Sequence, residues 1–309
     1  MTLSVHLRRI RSLCMVALGG CAPITAGSNA APLPTSYRIF DVSAEQYVSL
    51  ARLAEDMEGV DALFFGEFHD DQAVHGAQQE LLEVLAAGDR EVVLGLEMFE
   101  RDVQPMLDRY LRGESGEADF LRDSRPWPNY RTDYRPLVEL VRVKGWSVLA
   151  TNLPQGLATA IARGGLAALE SVPAAERLQA ASRIECPQDD YWVRFVEAIT
   201  GGAEGAAHAG AQASDPMMRR VFEAQCVRDE TMAEAVAPIM DSEPLLFHVN
   251  GSFHTDHFLG IVPRLLRRQP DAVVRVIATV QLPELVNPDL TEHQDKADYL
   301  ILTLEPPEG

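Results

Sequence analysis

Six short apolar runs, at residues 60–65, 91–97, 146–150, 245–249, 272–280 and 299–304, alternate with stretches of helical periodicity, which confines the chain to an α/β fold. The runs are apolar almost without interruption, as expected of strands covered on both faces, and helical crossovers between them make the sheet mostly parallel. The run at 299–304, last in the chain, is expected at an edge. Helices are expected over 44–58, 71–87, 154–163 and 259–268, and over 101–144 with a break where Pro126 and Pro128 forbid a continuous helix. Residues 164–240 show no strand pattern; helices around 174–181, 189–199 and 215–240 are interrupted by a Gly- and Ala-rich link over 201–213. The expected architecture is an α/β domain over 39–305: a mostly parallel central sheet, flanking helices, and a helical insertion subdomain at about 164–240.

The first residues stand apart from that domain. Arg8, Arg9 and Arg11 precede a short apolar stretch ending in Leu18-Gly19-Gly20-Cys21. This is the pattern of a secretory signal over 1–20, too short to span a bilayer, with a lipobox-like end that makes Cys21 the candidate lipidated residue. Residues 21–38 then read as a flexible tether, so contact with a membrane is expected only through the lipid. The formal charge is −19, and −22 once the three arginines of 1–20 are removed, which disfavours nucleic acid as a partner. With Cys14 in the signal and Cys21 lipidated, Cys186 and Cys226 remain. An exported protein could join them, and a buried thiol on the apolar stripe of a helix serves Cys226 equally well.

The strand ends carry the chemistry. Gly66-Glu67-Phe68-His69 follows the first run and Gly251-Ser252-Phe253-His254 the fourth. With 21 Gly and 8 His in 309 residues, about half a Gly-x-x-His match is expected by chance, and a third copy ending at His208 follows no strand. Strand context distinguishes the other two, because ligands bind beyond the carboxyl ends of parallel strands. Glu97, Asn152 and Asn250 close three runs in the same way. Carboxylate plus imidazole suits a borderline divalent metal or general acid–base work. Buried arginine partners would equally satisfy Glu67 and Glu97, and simple capping would satisfy the histidines. His257 would share the face of His254 if that segment were helical. Asp229 interrupts an apolar helical stripe and wants a partner, either the site itself or Arg135 or Arg125. Trp127, Tyr130 and Tyr134 form an aromatic cluster that suits a core edge or a flat ligand. No Gly-x-Ser-x-Gly elbow, P-loop or His-Glu-x-x-His occurs.

As an ordered set, Phe65-Gly66-Glu67-Phe68-His69-Asp70, Leu96-Glu97-Met98-Phe99, Tyr134-Arg135-Pro136-Leu137, Asn152-Leu153-Pro154, the segment from Cys226 to Ala233 and His248-Val249-Asn250-Gly251-Ser252-Phe253-His254 resemble the ChaN-like haem-binding uptake lipoproteins of the Tiki/TraB/erythromycin-esterase-like group. The resemblance covers about residues 40–280 and implies an exported, outer-membrane or periplasm-facing protein of haem and iron uptake, binding haem between two subunits of a homodimer through a tyrosine. No motif identifies that tyrosine; Tyr130 and Tyr134 are the candidates from the aromatic cluster. Asn152, Asp229 and Asn250 would be supporting polar groups. The wider group also implies an enzymatic alternative, a metal-dependent hydrolase or peptidase in which His69, Glu97 and His254 hold a divalent transition metal and Glu67 is the general base. A third reading is an exported interaction protein whose polar pocket has no chemistry.

Overall fold

The computed structural model describes residues 37–201 and 215–306. The signal over 1–20, Cys21, the tether up to 36, His208 and nearly all of the Gly- and Ala-rich link lie outside them. Eight strands form one sheet: β1 (Tyr37–Asp41), β2 (Gln46–Val48), β3 (Ala62–Glu67), β4 (Val92–Glu100), β5 (Val148–Asn152), β6 (Leu245–Gly251), β7 (Val274–Leu282) and β8 (Tyr299–Leu304), in the order β2-β1-β8-β7-β3-β6-β4-β5. The six strands from β8 to β5 run parallel, whereas β1 pairs antiparallel with both β8 and β2. The fold class expected from the apolar runs is the one observed.

Alternation along each strand builds two cores. Leu63, Phe65, Leu94, Leu96, Phe247 and Val249 face one side. There they pack on α1 (Leu50–Glu55), α2 (Gln72–Ala86), α3 (Gln104–Leu111), α4 (Glu117–Ser124) and α5 (Arg135–Lys144). The intervening Ala62, Phe64, Val93 and Leu246 face the other side, against α9 (Pro216–Val236) and α10 (Ile261–Leu266). Each fully buried Leu or Phe contributes roughly 1.5–3 kcal/mol on leaving water, so this two-sided burial dominates the fold's stabilisation. Between β5 and β6 the described chain is helical, with α6 (Gln155–Gly164), α7 (Ala174–Arg177), α8 (Asp190–Thr200) and α9. A disulfide joins Cys186 to Cys226 and so ties the segment before α8 to the middle of α9.

Two local expectations are corrected. The helix expected over 44–58 is confined to α1, because Ser49 caps its N-terminus by accepting from the Arg52 N–H. The residues before Ser49 are drawn into the hairpin β1–β2, which also claims Tyr37 and Arg38 from the expected tether. β8 is not an edge strand: β1 returns from the chain's beginning to cover it.

Candidate functional site

The carboxyl ends of β3, β4 and β6 lie side by side, since β6 is hydrogen-bonded between the other two. This neighbourhood brings both Gly-x-x-His turns together with Glu67 and Glu97, and α9 lays Gln225 and Asp229 against them. Two linked carboxylate–imidazole units result.

In the first, Glu67 is buried at the end of β3. Its Oε1 lies 2.8 Å from His69 Nδ1 and accepts from the Tyr134 hydroxyl at 2.6 Å, while Oε2 accepts from Gln78 Nε2 at 2.6 Å. Behind it, His75 Nε2 lies 3.2 Å from the His69 carbonyl, and Asn129 donates both to that carbonyl (3.1 Å) and to Asp133 (2.7 Å). These contacts fix the turn and leave the His69 side chain 29% exposed, edge-on to Trp127, with its Nε2 making no hydrogen bond among the described residues. Burial opposes charging of His69, but the hydrogen bond to Glu67 and the charges of Glu97 and Glu67 outweigh it and raise its pKa.

In the second unit, His254 Nδ1 lies 2.6 Å from Asp229 Oδ1 and Nε2 lies 3.3 Å from Glu97 Oε1. Glu97 Oε2 also accepts from the Gly251 N–H at 2.7 Å. Burial disfavours the imidazolium, yet the charges of Glu97 and Asp229 win and raise the pKa of His254 to about 10. For Glu97, burial raises and the neighbouring imidazolium lowers; the net direction is down. Gly251 joins the units: a Cβ there would stand 2.9 Å from His69 Nε2 and 3.6 Å from Glu97 Oε2, so a bare backbone is needed at this approach.

The sign of the pH dependence follows. Stabilisation from the raised His254 is complete below its ordinary 6.5 and fades as pH climbs through about 10. Stabilisation from the lowered Glu97 is present above its ordinary 4.5 and fades on acidification below that. The melting-temperature difference between wild type and Glu97→Gln is therefore expected to be greatest between these limits. A difference that does not vary from pH 4 to 10 would refute the pairing.

The other singled-out residues fall as follows. Asp229 partners His254, whereas Arg135 pairs with Glu117 and Arg125 with Glu100 and Asp102. Neither Glu67 nor Glu97 has an arginine partner among the described residues. Asn250 is internal, bonded to Gly251 O, Thr255 and His248. His248 itself lies in the core, where burial lowers its pKa to about 4. Asn152 caps Leu153 N and accepts from Arg228. His257 does not share the face of His254: it sits in a left-handed turn at φ 60° and turns towards Asp295. Tyr130 and Tyr134 are 1% and 0% exposed, Tyr130 packed against Phe99 and Phe120 and Tyr134 bonded to Glu67. Burial raises both phenol pKa values, away from tyrosinate. Among the described residues no group of three His, Cys, Asp or Glu is placed to hold a metal ion. The physical reason is that His254 spends both nitrogens on carboxylates and His69 spends one, which leaves the metal-hydrolase alternative without support.

Sequence reasoning did not assign His75, Asn129, Asp133 or Gln225 to the site. Gln78 left a signal, a polar residue on the apolar stripe of a predicted helix.

The family model for haem-binding uptake proteins of the Tiki superfamily, ChaN, matches residues 53–265. The chain belongs to that family. ChaN of Campylobacter jejuni, solved with cofacially bound haem, has a similar fold: TM-score 0.61 at 16% identity, over 86% of this chain and 96% of that one. An erythromycin esterase variant in its open conformation gives a TM-score of 0.51 at 11% identity, over 89% of this chain and 99% of that one. No curated protein matches this ChaN-family chain in sequence.

Proposed function

We propose that this ChaN-family protein is an exported haem-binding lipoprotein, anchored through Cys21, that assists haem uptake and binds haem as a homodimer. The observation that carries the reading is the match of residues 53–265 to the haem-binding uptake family. Two features support the exported setting: the basic, apolar, Gly-Gly-Cys sequence at the start of the chain, and the Cys186–Cys226 disulfide, a bond at home in oxidising compartments. No helix among the described residues is long and apolar enough to cross a membrane, which accords with attachment by lipid.

Of the donors singled out in the sequence, the phenols of Tyr130 and Tyr134 are enclosed in the core, while His69 offers an open nitrogen. Its Nδ1 is oriented by Glu67, the arrangement that fixes the ring of a metal-ligating histidine, and Nε2 is unbonded at a partly exposed position. The donor set thus suits an iron that brings its own porphyrin ligands and needs one nitrogen from the protein. His69 would hold the iron, with Trp127 as a flanking aromatic surface, and haem would supply the iron chemistry.

Titrating haemin into the purified protein is expected to give a saturable Soret band, with a shift to dimer on gel filtration. Tyr130→Phe and Tyr134→Phe are expected to keep the spectrum, and His69→Ala to change it. A spectrum indistinguishable from free haemin would overturn the haem reading, and an unaltered spectrum in His69→Ala would overturn the assignment of the ligand.

A further inference from the structure

Arg228 is nine-tenths buried, on the same stretch of α9 as Gln225 and Asp229. Its guanidinium donates to Asn152 Oδ1 at 3.0 Å and to Gln155 Oε1 at 2.6 Å. Both acceptors are neutral amides, and among the described residues no carboxylate lies within 4.0 Å of it. The contrast is with the other fully buried arginine, since half-buried Arg38 and Arg90 also bond only to carbonyl oxygens. Arg264, buried to a similar degree, lies 3.6 Å from Glu230, and Arg219, on the same helix as Arg228, lies 3.1 Å from Glu223. A cation withdrawn from water without a counter-charge is costly, and such groups persist where a ligand completes them.

The surroundings favour an anion. Asn152 closes β5 and Gln155 opens α6, so the positive end of that ten-residue helix is directed at the same place. Glu100, which accepts from the Gln155 N–H, is itself compensated by Arg125 at 2.8 Å. Only two of the guanidinium's five N–H donors are taken, and its Nε is neither hydrogen-bonded nor sealed from solvent. Asn152 ends β5, the neighbour of β4 in the sheet, so the guanidinium lies along the same carboxyl edge as the strand-end site.

We propose that Arg228, with Asn152, Gln155 and the start of α6, receives a carboxylate group of the ligand. This rests on the haem reading, in which the carboxylate is a haem propionate. The test compares haemin with its dimethyl ester on wild type, Arg228→Gln and Arg228→Lys. Wild type is expected to bind the ester on the order of 10- to 100-fold more weakly, the scale of a charge-assisted hydrogen bond. Arg228→Gln should bind haemin as weakly as wild type binds the ester and should no longer distinguish the two, with Arg228→Lys intermediate. Equal haemin affinity in Arg228→Gln, or equal loss of haemin and ester, would overturn the proposal. A second arm needs no haem: the melting temperature of the apoprotein should rise with added acetate or succinate at constant ionic strength in wild type and stay flat in Arg228→Gln. If wild type fails to bind haemin, the haem reading falls, and this arm still decides. If Arg228→Gln does not fold, ester discrimination by wild type and Arg228→Lys decides, and its absence in wild type overturns the proposal.

Discussion

Gly260→Ala is expected to lower the melting temperature by roughly 10 °C and to dislodge His254 from its two carboxylates. Gly260 sits at φ +59° and ψ −110°, a conformation L side chains avoid, immediately before α10. A Cβ there would stand 2.2 Å from the His254 carbonyl oxygen and 2.8 Å from its carbon. Both atoms are backbone, so no side-chain rotation relieves the overlap. Left-handed strain and forced backbone displacement together come to about 4 kcal/mol. Because the displaced carbonyl belongs to His254, the damage extends to the site. Calorimetry and haemin titration on one preparation check both halves, and a melting temperature within about 2 °C of wild type contradicts the argument.

Asp229→Asn is expected to cost about 3 kcal/mol at neutral pH, the scale found when one partner of a buried ion pair is removed. The amide retains nearly the shape of the carboxylate and can still accept from His254 Nδ1, so the loss is mainly of charge. His254 then keeps only Glu97, at 3.3 Å, against the desolvation of a fully charged ring. A signature separates this from ordinary packing damage. The stability curves of Asp229→Asn and wild type should converge as pH rises towards 10, where wild-type His254 loses its proton. Denaturant melts at pH 6, 8 and 10 would show this, and a constant gap would assign the effect to packing instead.

How much of this was readable beforehand depends on where the information lies. β3, β4 and β6 could be recognised because central strands covered on both faces are apolar throughout, and the structure does bring their carboxyl ends side by side. Glu67, Glu97, His69 and His254 declared themselves by following such runs. What stayed hidden was pairing across distance. Nothing near Asp229 in sequence names His254, 25 residues on, in preference to Arg135 or Arg125. Likewise, the aromatic cluster at Trp127–Tyr134 gave no indication of depth, so Tyr130 and Tyr134 looked as eligible to meet a ligand as Trp127. The hairpin β1–β2 was missed because Tyr47 and Leu50 mimic a helical stripe, and only the cap at Ser49 shows where the helix begins. β8 was taken for an edge because the strand that covers it comes from the other end of the chain.

That last pairing has a practical consequence. Tyr37 lies opposite Thr303, so the beginning and end of the described domain meet on neighbouring strands, about 5 Å apart. A short linker from residue 306 to residue 37 should therefore yield a circular permutant that still folds. New termini could then be opened at Gly113 or Gly88, both outside the sheet. Immobilising such a permutant from its new ends would present the carboxyl edge of the sheet, where we propose that haem binds, in a different orientation. This gives a way to ask whether haemin binding depends on which side of the domain is left free.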